Sequence, residues 1–61
     1  MTIEQAERVL LECADEMESA AQLAEMYEKA GLMGLVAQQR KVFAAANRRA
    51  NQAINVLARA M

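Results

Sequence analysis

Histidine, proline and tryptophan are absent from this chain, and cysteine occurs once. Without histidine there can be no Ser-His-Asp or Cys-His catalytic set. Helical di-metal sites, which need Glu-x-x-His motifs on facing helices, are excluded for the same reason. Cys13 alone can neither close an intrachain disulfide nor build a structural zinc site. One Phe and one Tyr leave almost no stacking platform for single-stranded nucleic acid. No apolar run approaches the ~18 residues of a membrane span. The start, Met1-Thr2-Ile3-Glu4, lacks the basic and apolar regions of a secretory signal. A reduced, cytoplasmic setting is the default expectation for a chain so poor in cysteine. The second half also contains no acid. Residues 1–30 hold all eight acidic residues against Arg8 and Lys29, a balance of −6. Residues 31–61 hold Arg40, Lys41, Arg48, Arg49 and Arg59 and no acid, a balance of +5. The formal net charge of −1 thus conceals a dipolar molecule.

What remains is rich in Ala, Glu, Gln, Leu, Met and Arg, all good helix formers. Thr2 followed by Gln5 reads as a capping box at a helix start. A first helix is expected from about 3 to 30. A turn at about 31–34 follows, where Gly31 suits the left-handed residue after a helix C-terminus. A second helix is expected from about 35 to 60. Each helix would be roughly 40 Å long at 1.5 Å per residue.

The apolar spacing is more specific than amphipathic. Ile3, Ala6, Leu10, Cys13, Met17, Ala20, Ala24 and Tyr27 follow an unbroken three-four alternation, as do Val36, Gln39, Phe43, Ala46, Ala50, Ala53, Leu57 and Ala60. These are heptad a and d positions. Folding the chain at Gly31-Leu32 gives the layers Ile3/Ala60, Ala6/Leu57, Leu10/Ala53, Cys13/Ala50, Met17/Ala46, Ala20/Phe43, Ala24/Gln39 and Tyr27/Val36. In most of them a large side chain faces a small one, the interdigitation that a close-packed core requires. The fold class predicted is all-α, an antiparallel two-helix hairpin forming a single domain over 1–61.

In such a hairpin the g positions of both helices share one flank, pairing as Val9/Val56, Glu16/Arg49, Leu23/Val42 and Ala30/Leu35. Three pairs are apolar and the fourth joins opposite charges. A lone hairpin would leave this strip in water, and exposed apolar patches mark contact surfaces. A chain of 61 residues is also short of core and needs a helper. With disulfides and metals excluded, oligomerisation remains, and a homodimeric four-helix bundle is expected. The expected partner interface is Val9, Leu23, Leu35, Val42 and Val56, extended by Leu11, Met26 and Ile54.

Other features have plainer readings. Glu12, Asp15, Glu16 and Glu18 cluster within two turns but fall on outward positions, as a solvated acidic face does. The pairs Glu4/Arg8 and Glu25/Lys29 have the favourable i, i+4 order. Cys13 lies on the seam opposite Ala50, where a buried thiol behaves as a small hydrophobe. Its neighbours Glu12, Asp15 and Glu16 carry the wrong charge to activate it. Gln39 is the one polar seam residue, either reaching solvent or Tyr27 or setting the register. Arg40, Lys41, Arg48, Arg49 and Arg59 could contact phosphates, but the acidic helix alongside would cancel much of their field.

In length and helix–turn–helix outline the chain resembles the plasmid copy-control hairpins that bind RNA as four-helix bundles. It also resembles the short hairpin co-chaperones of type III secretion needles. Neither likeness carries a shared motif. The first departs where function lies, because its RNA-contacting first helix is basic and polar and this one is acidic. No family is assigned. The expected function is a non-enzymatic protein–protein interaction module: an adaptor, a chaperone-like subunit or an inhibitory binder. It needs no cofactor, metal or small-molecule substrate. The partner is a second copy, another helical protein, or both, and no membrane is involved. The competing expectation is a nucleic-acid-binding hairpin that uses the basic second helix.

Overall fold

The computed structural model describes residues 1–60. Two helices, α1 (Ile3–Lys29) and α2 (Met33–Ala60), run antiparallel and pack along their whole length. The result is a rod of 45 × 13 × 13 Å. Its radius of gyration is 13.9 Å, against about 10.5 Å for a compact chain of this length.

α1 begins as its sequence predicts. The Gln5 N–H donates to Thr2 Oγ1 at 3.1 Å, and the Thr2 N–H donates to Gln5 Oε1 at 2.8 Å. Two amides that no helical carbonyl can reach are thereby satisfied. At the other end Ala30 caps the helix and Gly31 follows with φ +76°. The Gly31 N–H donates to the Glu28 carbonyl at 3.0 Å and the Leu32 N–H to the Tyr27 carbonyl at 2.9 Å. This pair of bonds is a Schellman motif, and it reverses the chain in three residues. The break is therefore shorter than expected. Leu32 already accepts from the N–H groups of Leu35 and Val36, both at 3.1 Å. Gly34 consequently lies inside the first turn of α2, not in the connection.

The seam falls where the heptads put it. Every buried residue occupies a predicted a or d position: Ala6, Cys13, Ala20, Val36, Ala46, Ala50 and Ala53. Cys13, Ala46 and Ala50 form the centre of the core, with Val9, Leu10 and Met17 packed against it. These contacts match the layers Cys13/Ala50 and Met17/Ala46.

The depth of burial differs from expectation. In the layers away from the open end the small member of each large–small pair is covered, whereas the large member is not. Leu10, Met17 and Leu57 are half-buried, and Phe43 and Ile3 remain 40% and 50% exposed. The reason is geometric. Two rods touching along one line enclose a Cβ-sized volume, and longer side chains outreach it. Only Val36 and Cys13 stand out as larger side chains fully enclosed. Ile3 further lacks a layer beyond it at the open end of the hairpin.

The two glycines should respond oppositely to alanine. A Cβ meets no atom within 4 Å at either site, so backbone conformation alone decides. Gly31→Ala places a side chain at φ +76° and should destabilise by about 1 kcal/mol. Gly34→Ala removes a flexible residue from a helical turn and should stabilise by about 0.5 kcal/mol. Urea unfolding of the two variants checks both signs.

Candidate protein-interaction surface

The flank formed by g positions carries most of the expected interface. Leu23 and Val42 line one shallow groove of about 300 Å³ that also touches Asp15, Glu16, Ser19, Ala20 and Gln39. The two helices thus bring Leu23 and Val42 to the same place, as their pairing requires. Val42 and Leu35 are exposed, while Val9, Leu23 and Val56 are half-buried. Val9 leans onto the Cys13 core, so it serves the seam as well as the flank.

One charged layer interrupts this strip. Arg49 Nη1 donates to Glu16 Oε1 at 3.4 Å, and Arg49 Nη2 lies 3.9 Å from Glu12 Oε2. The pairing Glu16/Arg49 is the one the register predicts, and Glu12 reaches the same guanidinium from one turn earlier. All three side chains are about half exposed. Such pairs stabilise little in water but fix which residues stand opposite each other.

The three expected extensions do not form one surface. Met26, 63% exposed, occupies a c position beside the g flank. Leu11, 71% exposed, and Ile54 occupy b and e positions, which lie on the opposite flank. That second flank pairs Glu7 with Ile54, Ala14 with Asn47, Ala21 with Arg40 and Glu28 with Met33. Every one of its layers holds a polar or charged group. The apolar continuity is on the g side. Periodicity alone carries this distinction, once each exposed residue is given its heptad position.

The remaining sequence candidates are dispersed. Arg40, Lys41, Arg48 and Arg59 are exposed, but they sit at e, f, f and c positions around α2. They form no single basic stripe, and Arg49 is already occupied by two carboxylates. Glu12, Asp15, Glu16 and Glu18 are all exposed. Among the described residues no group of His, Cys, Asp and Glu could hold a metal ion, and no helix is long and apolar enough to cross a membrane. Of the two i, i+4 pairs, Glu25–Lys29 forms at 3.4 Å, whereas Glu4–Arg8 is not within ion-pair distance. Gln39 is half-buried at the groove, with no hydrogen bond to Tyr27 among the described residues.

The exposed area is large for the chain. A compact monomer of 6.7 kDa exposes about 3,900 Å², and this one exposes 4599 Å². The excess, roughly 700 Å², is what a 45 × 13 × 13 Å rod exposes beyond a compact shape of the same mass. Comparison of the chain with protein-family models, with curated proteins and with solved structures gives no match. The functional reading therefore rests on this surface alone.

Two measurements probe it. Cys13 is completely buried, so its thiol should resist aqueous disulfide reagents in the folded protein and react at once in denaturant. Rapid labelling under native conditions would show that the seam opens or that Cys13 lies elsewhere. Arg49→Met removes only half-exposed ion pairs, so urea unfolding should shift by less than about 1 kcal/mol per chain, and by less still in high salt.

Proposed function

We propose that this chain is a non-enzymatic protein–protein interaction module whose g flank is closed by a second copy, giving a four-helix bundle. An adaptor, a chaperone-like subunit and an inhibitory binder are all uses of such a module. The observation that carries the reading is the open groove between Leu23 and Val42. It lies within an apolar strip that the hairpin has no third layer to cover. Apolar burial drives the association, at roughly 25 cal/mol per Å² removed from water. The charged layer sets orientation and encounter rate more than affinity.

The chain should sediment at twice its 6.7 kDa mass. Val42→Glu puts an unpaired carboxylate into the contact of each copy and should weaken association by more than about 100-fold. Lys41→Glu, on the outward f position next to it, should leave the paired mass unchanged. Sedimentation equilibrium of the three proteins decides the matter. A Val42→Glu variant that keeps both its paired mass and its helicity would place the contact elsewhere.

A further inference from the structure

We infer that the second copy docks with its turn at the same end of the bundle, so that the acidic α1 of each copy covers the basic α2 of the other. The twofold axis then runs along the length of the rod. This rests on the reading that a second copy closes the g flank, and it adds what selects that copy and how it is oriented.

The flank is its own complement in this arrangement. Rotation about the long axis keeps every layer at its height and exchanges the two helices. Val9 meets Val56 of the second copy, Leu23 meets its Val42, Ala30 meets its Leu35, and Glu16 meets its Arg49. Apolar residues face apolar ones and acid faces base at every level. The charged layer is already assembled within each chain, with Arg49 at 3.4 Å from Glu16 and 3.9 Å from Glu12. All three side chains remain about half exposed. The guanidinium has five N–H donors, more than its two present contacts use. Carboxylates of the second copy arrive at the same height.

The reversed arrangement fails on the same residues. Turning the second copy end over end lays α1 on α1 and α2 on α2. Glu16 stands at the midpoint of α1 (Ile3–Lys29), so full overlap puts it over its own counterpart. The two halves, at −6 and +5, then face halves of their own sign. Sliding the copies by one heptad relieves Glu16 only by setting it over Val9 or Leu23. Like charges brought together, or a charge pressed against an apolar residue, exclude a register as effectively as good contacts favour one.

Spin labels on Leu32→Cys in a Cys13→Ala background report the orientation, because Leu32 lies at the turn. With turns together the labels should be within about 20 Å, roughly two helix spacings. Turns at opposite ends would separate them by about the 45 Å length of the rod. A short distance at paired mass supports the proposal. A separation near the rod length overturns the orientation while leaving the closed flank intact. A single-chain mass overturns both, and sedimentation of the labelled and unlabelled proteins tells these cases apart.

Charge exchange gives a second test that tolerates a poorly behaved cysteine variant. A copy carrying Glu12→Lys, Glu16→Lys and Arg49→Glu should pair with itself. Mixed with the parent chain it should sort into separate homodimers, because α1 of one would meet like charge on α2 of the other. The reversed arrangement requires the opposite result, preferential mixed dimers, and native mass spectrometry of the mixture distinguishes them.

Discussion

Two rods in contact along a single line can enclose very little, and that limit governs this molecule. The seam is made of alanines because only alanine, cysteine and one valine fit wholly within it. Close approach of the helices follows, and with it the long, even contact between α1 and α2. The same limit leaves the larger seam residues partly in water. Phe43, Met17, Leu10 and Leu57 are long enough to reach past the line of contact, and nothing in a two-helix layer meets them there.

Charge segregation complements this geometry. Placing every acid on one helix and five of the seven bases on the other lets the helices attract within the hairpin. It also leaves each hairpin with two faces of opposite sign. Such a molecule does not stack on itself in an arbitrary way. The Glu12–Glu16–Arg49 layer, set in an otherwise apolar strip, is where attraction between halves becomes a specific register. The isolated ion pair contributes little to stability, but misalignment puts like charges together, and that is costly.

Much of the fold was legible in the sequence because its signals are local and periodic. The capping box at Thr2 and Gln5, the left-handed Gly31 and the unbroken a/d spacing each specify a physical feature without reference to the rest of the chain. Register followed from the layers and is corroborated by the Glu16–Arg49 contact. What periodicity could not give was reach. It states which way Phe43 points and not whether two helices are wide enough to cover it. Glycine often marks a turn, which sets Gly34 in the expected connection, but the Schellman bonds finish the reversal before it. Exposed apolar character alone groups Leu11 and Ile54 with the g strip, although their heptad positions put them across the rod. The interaction surface has no motif to recognise, only an apolar strip and a charge pattern, so partner and use were never encoded in a readable form.

The central claim is that the hairpin is completed by association, and the concentration dependence of its thermal unfolding tests that most directly. If folding and pairing are coupled, the midpoint should rise with protein concentration, by on the order of 5 °C per tenfold increase for a dimer of this length. A midpoint that stays fixed across a hundredfold range of concentration would mean that each hairpin is stable alone, and the account would be contradicted.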